Sequence, residues 1–447
     1  MAVWRRVSLA AAAAALVACS DNTTTRPSPS PASTPKSSPS RPQPTPTVKE
    51  TQPLVLVIHP TRAAQDIDLA TAKAIARGTT KSWRGFRVTS LRDAQRSTSA
   101  LAVVSAAVVG PSVRPLTVGG IDPLKQPVRY PLRTAGAQPT EPVVDVTFGG
   151  DVMLGRRVAT AAARTGDVAG PLRVIGPRLA AADVTVVNLE STLSRAGTAQ
   201  QGGDSFAAPP GVVKGLRDAG VDVLSLANNH TGDFQDRALL ETLRLVRAGG
   251  LQPVGAGGNV AEAVRPAIVE RDGVRFGFLA FNAIGETPRA TPTSPGALSV
   301  RMPPRTGPLN AGDLAALTKA VATLKSAVDV VVVLPHWGQQ YTHTPVPAQR
   351  TVATALTKAG ADLVIGGHPH WVQDVQFAAG KVVAHSLGNL VFDMDFSQQT
   401  QEGVLLELTY WGKALKAARL TPYVIGSDFS PRVVTGDRAE QILSDLR

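Results

Sequence analysis

From Val143 onward the chain alternates short apolar runs with helix-like stretches, and this alternation constrains its fold more than any other feature. Val143–Phe148, Val184–Asn188, Val221–Ala227, Val274–Phe281, Val328–Leu334, Ala361–Ile365, Lys381–His385 and Val404–Thr409 read as strands. Between them Leu172–Ala182, Arg237–Ala248, Asp313–Ser326 and Pro347–Ala359 read as helices. Strands that each need a helix to cover them specify a layered α/β domain, here of about 300 residues. No repeat at 20–50 residues is present, which argues against a solenoid.

The polar residues of this region fall at the strands' C-terminal ends. The first strand ends Gly149-Gly150-Asp151, the second Asn188-Leu189-Glu190 and the third Ala227-Asn228-Asn229-His230. The fifth ends Leu334-Pro335-His336-Trp337-Gly338 and the sixth Gly366-Gly367-His368-Pro369-His370. Ligands of open α/β sheets bind outside the carboxyl ends of the strands. Taken singly, Asp151 or Glu190 suits a helix cap, Asn229 a turn and His336 a core. Repeated at successive strand ends, they describe one site. Asp151, Glu190, Asn229, His336, His368 and His370 supply six oxygen and nitrogen donors, a set suited to Mn, Fe or Zn. Two divalent ions about 3.5–4 Å apart need a bridging carboxylate, and Glu190 is placed to bridge.

Composition bounds the remainder. Of 447 residues, 43% are hydrophobic, enough for a core, and the single cysteine rules out a disulfide scaffold. The formal charge is +12, unevenly spread: residues 1–141 hold 18 Lys+Arg against 7 Asp+Glu, residues 142–447 hold 28 against 27. Arg5 and Arg6, the apolar Ala10–Val17 and then Leu16-Val17-Ala18-Cys19 read as an export signal over residues 1–19. Its close resembles a bacterial lipobox, with Cys19 as the lipidated residue. The expected location is extracytoplasmic, lipid-anchored to the outer face of the cytoplasmic membrane. Residues 20–50, with eight prolines between Pro27 and Pro46, read as an extended stalk. Residues 51–133 read as a small basic α/β module that faintly resembles part of a periplasmic binding protein, and 426–447 as a C-terminal tail. No basic stripe with interleaved aromatics is present, so nucleic acid is not an expected partner.

Gly150-Asp151-Val152-Met153-Leu154-Gly155-Arg156, Asn188-Leu189-Glu190, Ala227-Asn228-Asn229-His230-Thr231-Gly232-Asp233, His336-Trp337-Gly338, Gly367-His368-Pro369-His370 and Ser386-Leu387-Gly388-Asn389 together resemble the CapA family of capsule or poly-γ-glutamate biosynthesis proteins, within the metallophosphatase-like superfamily. The resemblance implies a four-layer α/β/β/α sandwich over residues 143–425 and a dinuclear metal centre. It implies that Asp151 and His370 hold one ion, that Asn229, His336 and His368 hold the other, and that Glu190 bridges. His230 would be the general acid, oriented by Asp233, with Asn228, Trp337 and Asn389 lining the substrate. The implied activity is that of a metal-dependent, phosphoester-type hydrolase. Its partner would be an anionic envelope polymer or a phosphorylated envelope precursor; the rival reading is a non-catalytic assembly or anion-binding lipoprotein. Three positions depart from the pattern: Met153 stands where the wider superfamily has His, Gln340 where the family has Glu, and His385 where Tyr is common. Phe206-Ala207-Ala208-Pro209-Pro210 reads equally as a lip over the cleft or a helix cap, and His343 as a surface residue.

Overall fold

The computed structural model describes residues 50–447; Cys19, the export signal and nearly all of the Pro-rich segment lie outside the described residues. Two β-sheets stack face to face. The first runs Gln252–Val254, Val223–Ser225, Val184–Leu189, Val143–Val152, Glu402–Trp411, Ala414–Ile425 and Pro431–Val433, with Asn389–Val391 also paired to Val143–Val152. The second runs Ala267–Arg271, Val274–Asn282, Val330–His336, Leu363–Ile365, Lys381–Leu387 and Val372–Ala378. The strands whose ends carry the polar residues pair in parallel within each sheet, so those ends gather along one edge.

Alternation along each strand explains the layers. Val144, Val146 and Phe148 of the first sheet meet Phe276, Phe278, Val330 and Val332 of the second in the central core. On the opposite faces Val187 and Leu224 pack under Leu239 and Leu243 of the helix Gln235–Ala248, while Val331 and Val333 pack under Leu317 and Val321 of Ala311–Lys325 and Leu356 of Pro347–Ala359. The result is the four-layer α/β/β/α sandwich that the sequence implied.

Four segments differ from the sequence expectation. Residues 172–182 are not one helix but a turn at Gly170–Leu172 followed by the single helical turn Gly176–Leu179. Pro177 has no N–H to continue a helix and instead starts a new one. Val372–Ala378 and the 12-residue Ala414–Ile425 are strands, each antiparallel to a strand that was expected. Residues 426–447 add the edge strand Pro431–Val433 and the helix Gly436–Ser444, which buries Ile442 and Leu443 in the central core, joined there by Leu446 just beyond it.

The N-terminal residues form their own sheet, in the order Ser82–Trp83, Phe86–Val88, Ala100–Ser105, Thr51–Ile58, Arg114–Pro115, with Arg133–Ala135 also on Thr51–Ile58. Val55 and Val57 of this sheet pack against Ala417 of the sandwich, and Trp411 Nε1 donates to Leu124 O at 2.8 Å.

Candidate metal centre

Asp151, Glu190 and His336 offer donor atoms that all lie within 4.8 Å of one another, and all three side chains are buried. Glu190 Oε1 is 3.8 Å from His336 Nε2 and 3.9 Å from His230 Nε2, and it accepts no hydrogen bond. His370 Nδ1 lies 3.8 Å from Asp151 Oδ2, and Asn229 Oδ1 lies 2.9 Å from His336 Nε2. The His368 ring stands between its neighbours, 5.0 Å from that of His336 and 5.8 Å from that of His370. All six expected ligands therefore converge.

Backbone geometry makes this approach possible. His368 and His370 both sit at positive φ, 95° and 58°, an uncommon conformation for residues with a Cβ that is held here by the surrounding turn. Gly367 permits the close approach: a Cβ there would stand 2.5 Å from Asp151 Oδ1.

The electrostatics fit a cation. Burial pushes Asp151 up to about 6, although hydrogen bonds from the His368 N–H and Asn188 Nδ2 pull the other way. Burial and the charges of Asp151 and Asp233 push Glu190 well above the usual carboxylate range. Burial likewise holds His336 and His368 well below the ordinary imidazole value and His370 at about 4. Neutral imidazoles are the ligating form, and a bound cation reverses the penalty on both carboxylates. Both ring nitrogens of His368 and one oxygen of Glu190 are buried without a hydrogen-bond partner. A satisfied core does not leave such atoms; a metal ligand set does, and this buried Asp/Glu/His group can hold a metal ion.

His230 sits beside this group with its orientation fixed. Its Nδ1 lies 2.8 Å from Asp233 Oδ2, and the same carboxylate accepts the Phe206 N–H at 2.6 Å and Gln201 Nε2 at 2.5 Å. Phe206 stacks on the imidazole at 3.8 Å, and the Arg156 guanidinium lies over the other face of Phe206 at 4.3 Å. Phe206 thus covers His230, while Pro209 and Pro210 accept from the Val212 and Val213 N–H groups at the start of the helix Val212–Asp218. At the mouth Tyr341 stacks on His370, and its edge meets the exposed Phe396.

The three residues expected to line the substrate have other partners in the structure. Trp337 is fully buried on the helix side of its sheet, edge-on to Phe281, with Nε1 donating to His385 O. Strand alternation explains this, since Trp337 follows His336 and must face the other way. Asn228 is a bracket: its amide donates to Asn188 Oδ1 and Leu189 O, and its Oδ1 accepts the His230 N–H. Asn389 stands behind a ligand, with Oδ1 2.9 Å from His370 Nδ1 and Nδ2 donating to Thr400 O. His343 faces Trp371 and the Val372 carbonyl, away from the ligands. His385 stacks under Trp337 and is likewise outside the site.

Sequence reasoning missed Asn188. Its Nδ2 lies 2.8 Å from Asp151 Oδ1, 3.2 Å from Glu190 Oε2 and 3.4 Å from His336 Nδ1. The signal was period-two spacing: Asn188 and Glu190 lie two residues apart at one strand end and share a face.

The family model described as bacterial capsule synthesis protein PGA_cap matches residues 145–394. The capsule biosynthesis protein CapA of Bacillus anthracis is 31% identical over 295 residues, covering 65% of this chain and 69% of that protein. The PGA biosynthesis protein CapA of Bacillus subtilis strain 168 is 28% identical over 306 residues, covering 68% and 77%. Among solved structures, a hypothetical protein from Thermus thermophilus aligns with a TM-score of 0.38 at 16% identity, over 63% of this chain and 99% of that one. The model match spans more than half of the chain and every block that carries the site: this protein belongs to the CapA family of bacterial capsule synthesis proteins.

Proposed function

We propose that the chain is a metal-dependent hydrolase of the phosphoester type, acting at the outer face of the membrane in the synthesis, export or anchoring of an anionic envelope polymer. The observation that carries this reading is the gathering of six buried side chains around the Asp151–Glu190–His336 group, with the His368 ring nitrogens and one Glu190 oxygen lacking any hydrogen-bond partner, beside a histidine oriented by a carboxylate. The named relatives act in capsule and PGA biosynthesis, which supports a polyglutamate-like polymer or its phosphorylated precursor as the partner. Asp151 and His370 would hold one divalent cation and Asn229, His336 and His368 a second, with Glu190 between them. When bound, such a pair polarises a phosphoryl oxygen and activates an attacking water. His230 supplies the proton: with Nδ1 fixed by Asp233, its Nε2 faces the Glu190 side of the cleft and donates to the leaving oxygen. Phe206 shields one face of the imidazole and keeps water from that side. The Cys19 lipobox and the Pro-rich segment would place the site beyond the membrane.

The test is metal content, together with turnover of a generic phosphodiester and phosphomonoester, on purified protein with and without added Mn²⁺. The expected result is about two cations per chain. Turnover should be lost in Asp151→Ala, and in His230→Ala it should fall by about 10²–10⁴ with metal content unchanged. No bound cation and no turnover would reject the hydrolase and leave an assembly factor.

A further inference from the structure

A cavity of about 440 Å³ lies at the seam between the N-terminal module and the sandwich. Four bases and three acids line it. Three of the bases have carboxylate partners: Arg178 pairs with Glu407 at 2.7 Å, Arg419 with Asp122 at 2.7 Å and Lys125 with Asp145 at 3.0 Å. The third lining acid, Asp66, already accepts from Thr117 Oγ1 and the Gly120 N–H.

Arg114 differs from the other bases. It is 2% exposed, its Nη1 donates to Arg62 O at 2.8 Å and its Nη2 to Leu420 O, while its Nε has no acceptor. Among the described residues no carboxylate comes within 4.0 Å of its guanidinium. A buried, unpaired cation is costly, and a buried donor without an acceptor adds to that cost. Burial and the neighbouring Arg419 charge push the guanidinium down to about 10, although the more distant Glu407 and Glu440 pull the other way.

We propose that this seam cavity binds an oxyanion, a phosphate or a carboxylate, beside Arg114. An oxyanion in the cavity supplies a closer countercharge than any carboxylate of the described residues, of the kind guanidinium groups pair with. The cavity is walled by Gln65 and Thr117 on one side and Arg178 and Arg419 on the other, so the ligand also ties the module to the sandwich. The site is separate from the strand-end cluster and does not depend on the hydrolase reading.

The test is titration of the full chain, freed of divalent cations on a chelating resin so that the strand-end cluster takes up no phosphate. Inorganic phosphate and a glutamate trimer are the probes, with chloride at equal ionic strength as the reference, followed by calorimetry and thermal melting. Saturable binding of either probe is expected, weakened about tenfold or more in Arg114→Gln, the loss of one charge-assisted hydrogen bond. Ala64→Glu, which adds a carboxylate at an exposed rim position, should weaken it similarly and keeps the test valid if Arg114→Gln fails to fold. Binding of phosphate alone identifies a free inorganic ion, and binding of the trimer alone identifies the carboxylates of an acidic polymer. No saturable binding beyond that of chloride, or binding unchanged in Ala64→Glu, overturns the proposal.

Discussion

Asp151→Asn is expected to stabilise the metal-free protein at neutral pH while abolishing its response to divalent cations. The Asp151 carboxyl is fully buried and raised to about 6, whereas in the unfolded chain it titrates near 4. A raised value means that the native state keeps its proton after the unfolded chain has released one. Stability is therefore greatest below about pH 4, falls as pH rises through about 6, and stays lower above that. The difference is worth on the order of 3 kcal/mol. An amide escapes this penalty and keeps the acceptor for Asn188 Nδ2, but it loses the one for the His368 N–H, costing about 1 kcal/mol. Without cations the variant should therefore exceed the wild type by about 2 kcal/mol at pH 7.5, with little or no advantage at pH 4.5. His336, His368 and His370 are depressed and titrate with the opposite sign, so the variant-minus-wild-type difference is the quantity to follow. Urea denaturation of resin-treated protein at both pH values measures it. Adding Mn²⁺ at a hundredfold over its Kd should then stabilise the wild type by about 2.7 kcal/mol and the variant hardly at all. A difference that does not change with pH, or a variant less stable at pH 7.5 without cations, would refute the reasoning.

Gly367→Ala should weaken cation binding by about tenfold or more in equilibrium dialysis, because its Cβ would fall 2.5 Å from Asp151 Oδ1; unchanged affinity would mean that the turn yields freely. Asn389→Ala removes the group 2.9 Å from His370 Nδ1, and losses of such supporting partners cost about 10–100-fold in metal affinity, measurable by the same dialysis. Leu443→Ala, in the C-terminal helix, should cost about 2–5 kcal/mol in urea denaturation, since Leu443 is wholly buried in the central core.

The layered fold was legible because Val330–His336 and Leu363–Ile365 are buried throughout and begin as continuous apolar runs, while Val143–Val152 and Val184–Leu189 keep valines and a phenylalanine at alternate positions. Val372–Ala378 and Ala414–Ile425 carry polar residues and were missed, because strands nearer a sheet edge need not be apolar throughout. The ligands were legible for a related reason: a carboxylate or imidazole at the end of an apolar run has few ordinary uses. The lining was not legible. Asn228 and Asn389 stand as close in sequence to the ligands as any true lining residue, and only the direction of each side chain shows that they hold the ligands in place. Of the residues that stand over or beside the site, Arg156 and Tyr341 lie five residues from Asp151 and His336 without any pattern that gives their direction, and only Phe206 comes from a segment remote from the ligands in sequence.

The departures at Met153 and Gln340 acquire a physical meaning from the same geometry. Met153 is fully buried in the helix-side core, and its Sδ accepts the Gly155 N–H at 3.1 Å. The position that elsewhere supplies an imidazole has thus been given over to packing, and the Asp151 side of the cluster loses a nitrogen without leaving a gap in the core. Gln340 is half-buried on the loop between His336 and Tyr341, outside the converging donors, so its change from a carboxylate takes charge from the surroundings and leaves the ligands themselves intact. On the proposed partition the two halves of the centre are then unequal. One rests on Asp151, His370 and a shared Glu190; the other has two imidazoles and an amide oxygen besides. Nitrogen-rich sites hold the later divalent metals more tightly, while oxygen-rich ones suit harder ions such as Mn²⁺. On that partition the Asn229–His336–His368 half would fill first, and the Asp151 half, whose carboxyl burial raises, would bind its cation more weakly as pH falls.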